Sequence, residues 1–311
     1  MPTPPTPPPT PRSSPLPALA LTVNALVWGT SWWPFRQLQA HGLHPLWTTV
    51  FVYAIAVLLL GATRPRTFLQ VLRTPTLWVL VLASGVTNAA FNWGVAIGDV
   101  VRVVLLFYLM PLWAVLLARL LLDEPLTRSA GLRVLLALGG AAVVLWPGGS
   151  VATGWDAWPL PRALPDWLGV VGGFSFALNN VMLRREARQP EPARALAMFI
   201  GGVLVAGALA TLLASRGSVP WPVLPAPPWL ALAIALATLF LLSNIALQYG
   251  ATRLPANVTA VVMLSEVVFA SGSAVAWGDG RLTPALLAGG AMIVAAAGLA
   301  ARGPPARIET P

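Results

Sequence analysis

Ten apolar runs, each close to the length that crosses a bilayer, constrain this chain more than any other feature. A transmembrane helix needs about 20 mostly apolar residues. Only 9% of the 311 residues are charged, whereas a soluble domain usually carries about 25%. The sequence therefore predicts an all-α integral membrane protein with ten transmembrane helices. The predicted spans are residues 18–36, 45–62, 76–97, 100–122, 128–147, 167–184, 195–214, 228–249, 256–277 and 283–301.

A weak internal repeat runs through the chain in constant register. Residues 88–127 reappear 156 positions later as residues 244–283, without a gap. Such a duplication is typical of transporters built from two halves around a central site. Each half would hold five spans, an odd number, so the second half must insert in the opposite sense, which predicts two inverted five-helix repeats. The matching residues include Asn88 and Asn244, Asn92 and Gln248, and Gly94 and Gly250.

The polar segments divide the chain into five parts. The N-terminal tail is rich in proline, serine and threonine, a composition that buries no core, and it lacks the features of a signal peptide. The predicted parts are a disordered cytoplasmic tail (1–17), a first repeat (18–147), a connecting outer loop (148–166), a second repeat (167–301) and a second cytoplasmic tail (302–311).

The distribution of positive charge predicts the orientation. All 19 basic residues are arginines, and with the N-terminus inside, 14 of them fall on the inner side and 5 on the outer side. Because cytoplasmic loops carry the excess of positive charge, both termini should be cytoplasmic. The arginines form no basic stripe beside aromatic residues, which argues against a nucleic-acid partner despite the net charge of +9.

Two pairs of amide side chains are candidates for a central site. Asn88 and Asn92 lie four residues apart and share one face of the third span, as Asn244 and Gln248 do in the eighth. Carboxamides in hydrocarbon must find partners or line a wet cavity. The recurrence of both pairs at related positions favours a cavity, and hydrogen bonding between packed helices is the alternative.

Glu266 is the only carboxylate well inside a predicted span. A charged side chain at the membrane centre costs roughly 2.5–3.5 kcal/mol on insertion scales, so such residues usually have a function. Glu266 could bind the ammonium group of a substrate, couple transport to protons, or be protonated and hydrogen-bonded to a neighbour. The structural alternatives are a position nearer the water and the capping of a helix break.

Several aromatic residues lie deeper than the interfacial tryptophans. Aromatic rings favour contact with an aromatic substrate, and tryptophan faces attract an ammonium group. Packing between helices is the alternative for each of them. The aromatic candidates are Trp28, Trp32, Tyr108 and Trp113. Ser31 in the first span and Asn179 in the sixth add polar atoms at positions that a second, weaker match relates to each other.

Pro111 lies inside the fourth span, between two of the aromatic candidates. Proline removes a backbone hydrogen bond, so a helix kink is expected there, either beside the site or simply tolerated. The freed carbonyl must then be satisfied by protein or by cavity water.

The sequence predicts no enzyme, no cofactor and no metal site. The two histidines, His41 and His44, lie in the first outer loop without acidic neighbours, and no glycine-rich phosphate loop ends in Lys-Ser or Lys-Thr. The predicted spans also hold no deep basic residue. Organic phosphates and nucleotide sugars are therefore poor substrate candidates, because their charge favours arginine or lysine.

Three local strings carry a family resemblance. They are Trp28-Gly29-Thr30-Ser31, residues 108–127 with Asp-Glu-Pro-Leu-Thr at their end, and residues 264–283. Together with the spans and the duplication, these strings resemble the EamA-type branch of the drug/metabolite transporter superfamily over roughly residues 18–301. The chain departs from that family at Glu266-Val267, where the family often has Glu-Pro.

The resemblance implies a function. Within the superfamily the chain looks most like the YddG-type aromatic amino-acid exporters, which implies export of Phe, Tyr and Trp across the bacterial inner membrane by alternating access through a central cavity. Spans three, four, eight and nine would form its inner walls, with spans one and six beside them, and protons are a candidate coupling ion. The alternatives are an exporter of another small metabolite or drug and, from a different class, a scaffold or membrane enzyme without transport.

Overall fold

Every regular element of the computed structural model is helical among the residues that it describes, which are 14–98, 100–125, 127–145, 161–222, 227–277 and 283–301. The prediction of an all-α protein whose apolar helices suit a membrane is confirmed. Most of the predicted N-terminal tail, most of the connecting outer loop and the C-terminal tail 302–311 lie outside the described residues. The first helix begins at Leu16, so the last two residues of the predicted tail 1–17 are helical.

The described part of the chain contains fifteen α-helices. A π-helical turn, Gly202–Ala206, joins the tenth to the eleventh. The helices are α1 (Leu16–Thr30), α2 (Trp32–Ala40), α3 (Pro45–Thr63), α4 (Arg66–Arg73), α5 (Pro75–Ile97), α6 (Val100–Phe107), α7 (Met110–Leu122), α8 (Arg128–Leu145), α9 (Leu164–Arg185), α10 (Glu191–Gly201), α11 (Gly207–Ser215), α12 (Pro227–Ala251), α13 (Ala256–Met263), α14 (Ser265–Ala276) and α15 (Pro284–Ala301).

Each of the ten predicted spans coincides with one helix or with consecutive helices separated by a short interruption. By length and apolarity, four segments of the described chain are suited to crossing a membrane, namely Pro45–Thr63, Glu191–Ser215, Trp229–Ala251 and Ala256–Ala276. A fifth is the pair of α4 and α5, which is bent by 98°. The interruptions explain part of the difference, since α1, α2, α6 and α7 are each too short to cross alone. Ten spans therefore remain a prediction.

Two of the predicted spans are interrupted at related positions. α6 ends at Phe107 and α7 begins at Met110, whereas α13 ends at Met263 and α14 begins at Ser265. The two breaks lie 156 residues apart, in the register of the repeat. Pro111 lies in the first turn of α7, where proline is favourable. The break before α14 forms without a proline, so proline is not the common cause of the two breaks.

Serine hydroxyls occupy two of the interruptions. Between α1 and α2, the Ser31 hydroxyl donates a hydrogen bond to the carbonyl of Trp28 over 2.7 Å. At the first residue of α14, the Ser265 hydroxyl donates to the carbonyl of Val262, also over 2.7 Å. Each hydroxyl adds a hydrogen bond to a carbonyl at the break, and the Trp28 carbonyl also accepts the backbone N–H of Ser31 over 3.1 Å. Such bonds stabilise a helix end where water is excluded.

Helix contacts between the two halves come in matching pairs: each contact has a counterpart in which the roles of the first and second half are swapped. α5 of the first half lies along α9 of the second, and α12 of the second half lies along α1 of the first. In the same way, α6 and α7 contact α9, whereas α13 and α14 contact α1. α8 and α15, the last predicted spans of the two halves, pack on each other. Both halves therefore contribute to one common centre.

Gly29 sets how closely α1 approaches α14. A Cβ atom at this position would lie 2.7 Å from the carbonyl oxygen of Glu266 and 2.8 Å from the Cβ atom of Phe269. Both atoms belong to the backbone of α14 or are bonded directly to it, so neither can move aside unless the helix shifts. Because α14 also carries the Glu266 side chain, this close contact positions a candidate site residue.

We expect Gly29→Ala to lower the thermal stability of the purified protein, because overpacking typically costs about 1–3 kcal/mol. Gly272→Ala is the matched control, since Gly272 lies on the same helix α14 with open space around it. Alanine there should leave the melting temperature unchanged or raise it. Tryptophan fluorescence during thermal melting in detergent measures both variants, and equal melting temperatures would contradict the prediction.

Candidate functional site

A cavity lies where helices of both halves converge. Measured as the space open to the centre of a water molecule, its volume is about 70 Å³. One water needs roughly 10–15 Å³ by that measure, so the cavity has room for several waters or a small ligand group. The helices that line it are α1, α3, α5, α6, α9, α10, α12, α13 and α14.

Aromatic rings make up much of the cavity wall. Trp28 stacks on Phe240 with ring centroids 4.5 Å apart. Tyr53 makes edge-to-face contacts with Phe199 at 5.1 Å and with Phe240 at 6.1 Å. These contacts hold the rings in fixed positions, which prepares a surface for a flat apolar ligand group. A second group of contacting rings, on α5, α6 and α9, consists of Phe91, Phe107 and Phe176.

Asn88 is hydrogen-bonded on the cavity wall through both ends of its amide. The Tyr53 hydroxyl donates to its Oδ1 over 2.9 Å, and its Nδ2 donates to the carbonyl of Ser84 over 2.8 Å. The amide is thus held in one orientation by two helices, α3 and α5.

Three polar side chains on the wall have atoms without partners. Asn24 donates through Nδ2 to the carbonyl and the hydroxyl of Ser243, at 2.9 and 2.6 Å, but its Oδ1 has no donor. Asn179 is 1% exposed, and neither atom of its amide has a partner. No described residue donates a hydrogen bond to the Glu266 carboxylate either. Because an unsatisfied buried polar group costs about 1–3 kcal/mol, these groups indicate a place that a ligand or water completes.

A buried arginine is connected to the cavity through two amides. Arg194 is 5% exposed, and it donates through Nε to Gln248 Oε1 over 2.8 Å and through Nη1 to the carbonyl of Glu186 over 3.1 Å. Gln248 Nε2 donates to Asn244 Oδ1 over 2.7 Å. Asn244, on the cavity wall, donates through Nδ2 to the sulfur of Met198 over 3.2 Å.

That the predicted spans hold no deep basic residue remains a prediction, but Arg194 is buried just before the seventh of them. The sequence places it one residue before the seventh predicted span, but α10 begins at Glu191 and buries the Arg194 side chain beside α12. An acidic residue followed by a proline, Glu191-Pro192, is a typical start of a helix and would have indicated the earlier boundary. Arg194 stands behind the wall, and the described residues that line the cavity include no basic side chain.

Five of the eleven predicted site residues line the cavity together, although they come from five different helices. Trp28 provides an aromatic face, Glu266 provides a carboxylate, and the other three are amides. The amides on the wall are Asn88, Asn179 and Asn244.

Three further predicted residues lie outside the cavity wall, bonded to neighbouring helices or to their own. Ser31 bonds within the break between α1 and α2. The Trp32 indole donates to the Ser273 hydroxyl over 2.9 Å. Asn92 donates to the Thr49 hydroxyl over 2.5 Å. Asn92 lies on the same helix face as Asn88 but one turn further along α5. Asn88 lines the cavity and Asn92 does not.

The remaining three predicted residues are also outside the wall. Tyr108 is 5% exposed and packs edge-on against Phe107 at 5.9 Å. Trp113 contacts Phe174 at 5.7 Å, and its buried indole nitrogen has no partner. Gln248 is fully buried behind Asn244, as described above.

Wall residues on α3 and α10, in the second and seventh predicted spans, were not among the predicted site residues. Tyr53 comes from α3, and Met198 and Phe199 come from α10. One signal was present, because Tyr53 is one of only three tyrosines and places a hydroxyl inside an apolar run. The apolar Met198 and Phe199 offer no such signal, since nothing in their type separates a cavity wall from a packed core.

Comparison with known proteins indicates the class to which this fold and cavity belong. A model of the EamA-like transporter family matches residues 16–146, so this part of the chain carries an EamA-like transporter domain. The match indicates a multi-pass membrane protein that transports small molecules.

A likeness to a solved structure extends over most of the chain. A solved structure, described only as a crystal structure of a protein, matches with a TM-score of 0.73 over 91% of this chain and 96% of its own. At 20% sequence identity, the likeness concerns the fold alone. No curated protein matches the sequence.

We expect Asn179→Leu to raise the melting temperature of the ligand-free protein, because it removes two unsatisfied buried polar atoms that cost on the order of 1 kcal/mol or more. The same change should weaken substrate binding, since Asn179 lines the cavity. Melting curves with and without substrate measure both effects.

Asn180→Leu is the matched control for this prediction. Asn180 is the next residue, is equally buried and is equally without partners, but it does not line the cavity. Leucine there should also raise the melting temperature while leaving the stabilisation by substrate unchanged. Equal loss of substrate binding in both variants would contradict a specific role for Asn179.

Proposed function

We propose that this protein is a ten-span, inverted-repeat exporter of amino acids, above all the aromatic ones, in the bacterial inner membrane with both termini cytoplasmic. The observation that carries the proposal is a cavity that combines aromatic walls with polar groups that lack partners. An aromatic amino acid offers both kinds of surface, a ring that stacks and an ammonium and a carboxylate that form hydrogen bonds. The transporter-family match over residues 16–146 supports transport itself.

The packing of the helices supports the two inverted halves. The contact between α5 and α9 has its counterpart in the contact between α12 and α1, with the roles of the two halves swapped. The breaks before α7 and α14 lie in the register of the repeat. An approximate twofold axis between the halves would account for both observations. The cavity would then lie on this axis, where rocking of the halves could expose it to each side in turn.

The proposed substrate contacts follow from the chemistry of the wall. Trp28 and Phe240 offer a stacked surface for the substrate ring. Glu266 and Asn24 Oδ1 are hydrogen-bond acceptors without donors, and they suit the substrate ammonium. Organic phosphates remain poor candidates, because no basic side chain among the described residues reaches the wall.

The main alternative is an exporter of another small metabolite or drug with the same cavity. A neutral aromatic drug would use the rings but leave the polar atoms of Asn24, Asn179 and Glu266 without partners, which favours the amino acid. A scaffold without transport predicts that substitutions on the cavity wall change stability and never flux.

Counterflow in proteoliposomes tests the proposed function. Vesicles loaded with unlabelled amino acids should take up labelled Phe and Trp faster than labelled Thr, and other aromatic amino acids should compete. This follows from the aromatic wall, since ring contacts add about 0.5–1.5 kcal/mol beyond area burial. If no amino acid enters faster than in empty liposomes while the protein stays folded, the amino-acid proposal fails and the metabolite or drug exporter leads.

Glu266→Gln tests proton coupling in the same assay. If Glu266 carries the proton, a pH gradient should change the rate of aromatic uptake in the unmodified protein but not in the variant. Glu191→Gln is the control, because Glu191 is exposed at the start of α10 and its substitution removes the same charge. A pH response that persists in Glu266→Gln would assign the coupling elsewhere.

An ion pair closes one end of the helix assembly. The Arg184 guanidinium lies 2.8 Å from the Glu124 carboxylate and also donates to the carbonyl of Thr252 over 3.4 Å. Glu124 follows α7 in the first half, whereas Arg184 and Thr252 lie at the ends of α9 and α12 in the second. In the proposed orientation this end faces the cytoplasm, so the pair would hold the two halves together on the cytoplasmic side.

We expect Glu124→Gln to increase access to the cavity from the cytoplasmic side. The chain has no cysteine, so Thr87→Cys would place a single thiol on the cavity wall. An ion pair near the surface is worth about 0–1 kcal/mol, so labelling of the thiol by a membrane-impermeant reagent should accelerate by up to about fivefold. An unchanged labelling rate in inside-out vesicles would rule the pair out as a gate.

A further inference from the structure

Arg194 is a buried cation with neutral hydrogen-bond partners. Its donors reach the amide oxygen of Gln248 and the main-chain carbonyl of Glu186. No described carboxylate forms an ion pair with it, although the Arg184–Glu124 pair shows that such a bond forms elsewhere in the chain. The charges of Glu186 and Glu191 attract Arg194 without forming an ion pair with it. A buried charge without such a pair is costly, so we expect a role for Arg194 in orienting its amide partner.

The arginine fixes the direction of a hydrogen-bond chain that ends at the cavity. An arginine only donates, so Gln248 must turn its oxygen to Arg194 and its nitrogen to Asn244. Asn244 must then turn its oxygen to Gln248, which leaves its nitrogen on the side of Met198 and the cavity. The sulfur of Met198 is a weak acceptor and takes one N–H, so the second N–H of Asn244 remains for a ligand.

We propose that Arg194 and Gln248 are positioning residues that hold the Asn244 amide with its N–H toward the cavity, where it binds the carboxylate of the substrate. This inference rests on the proposed function, because the carboxylate is that of the transported amino acid. The positive charge of Arg194, two amides behind the wall, also favours an anionic group at this end. Asn24 Oδ1 and Glu266 supply acceptors for the substrate ammonium, so the wall carries both donor and acceptor groups.

The corresponding residues of the first half do not form the same series of hydrogen bonds. Asn92 corresponds to Gln248 but donates to the Thr49 hydroxyl, and no arginine among the described residues donates a hydrogen bond to it. Asn88 corresponds to Asn244 but gives one N–H to a full-strength acceptor, the carbonyl of Ser84. The two halves therefore differ in donor strength at the cavity, and the carboxylate should bind on the side of α12.

Binding of three related compounds to the unmodified protein tests whether the carboxylate is recognised. The stabilisation of the purified protein in detergent would be measured with L-phenylalanine, with phenethylamine, which lacks the carboxylate, and with 3-phenylpropionate, which lacks the ammonium. Because hydrogen bonds to charged groups contribute about 1.5–3 kcal/mol, removal of the carboxylate should weaken binding at least about tenfold. If phenethylamine binds as tightly as phenylalanine, the inference is wrong, whether or not the variants below fold.

Gln248→Glu is the most direct test, because it should reverse the direction of the hydrogen bonds between Arg194 and Asn244. A glutamate at this position still accepts from Arg194, but its second oxygen can only accept, so Asn244 must rotate and present its oxygen to the cavity. The preference for phenylalanine over phenethylamine should fall at least about tenfold. Gln70→Glu adds the same charge at an exposed position of α4 and should leave this preference unchanged.

Substitutions of Arg194 separate positioning from simple stability. Arg194→Lys keeps a charged donor and should retain most of the preference for the carboxylate, whereas Arg194→Met frees the Gln248 amide to rotate and should lose it. A structural role alone would change the melting temperature of both variants and leave the ligand preference the same. That outcome would overturn the inference.

The set of ligands that bind separates an error in the carboxylate position from an error in the proposed transport of aromatic amino acids. If leucine binds and aromatic amino acids do not, comparison of leucine with 3-methylbutylamine tests the carboxylate position in the same way, and only the aromatic specificity fails. If 3-phenylpropionate binds and no amino acid does, the carboxylate position survives without amino-acid transport. If none of the carboxylate ligands binds, both the proposed function and this inference fail.

Discussion

Polar groups surrounded by apolar helices must find hydrogen bonds within the protein, and this constraint governs the structure. Many of the buried polar side chains obey it by bonding to a carbonyl of their own helix, as Thr87 does to Ala83. Others bond to a neighbouring helix, as Asn24 does to Ser243. The exceptions on the cavity wall, Asn24, Asn179 and Glu266, are therefore informative. Buried polar atoms without partners also occur away from the cavity, at Trp113, Asn180 and Thr259. Those on the wall differ in having space beside them for a ligand or water.

The same constraint shapes the helix breaks. A span that is interrupted inside a membrane exposes carbonyls, and the structure places Ser31 and Ser265 where their hydroxyls accompany such breaks. At the second of these breaks Glu266 enters the first turn of α14, next to the cavity. Gly29 allows α1 to contact α14 there at backbone distance. Local interruption of the helices and the position of the candidate site are thus parts of one arrangement.

The internal repeat placed related residues at related positions without giving them the same partners. Asn88 and Asn244 both line the cavity, but Asn92 turns to Thr49 while Gln248 joins Asn244 to Arg194. If the two halves are the proposed inverted repeats, they can in this way hold an asymmetric ligand, because the hydrogen bonds behind the wall differ between them. An α-amino acid, with a positive and a negative end, is such a ligand.

The sequence by itself determined the class of the protein, because long apolar runs and scarce charge leave an all-helical membrane protein as the stable solution. It also predicted Asn179, Asn244 and Glu266 as site residues, because polar side chains stand out within apolar runs, and these three line the cavity. Only the tertiary structure decided which residues line the cavity together. The apolar Met198 lines it, whereas Gln248 is buried behind Asn244. The reason is physical: residue type fixes what a side chain needs, whereas the packing angle and rotation of each helix decide which neighbour supplies it.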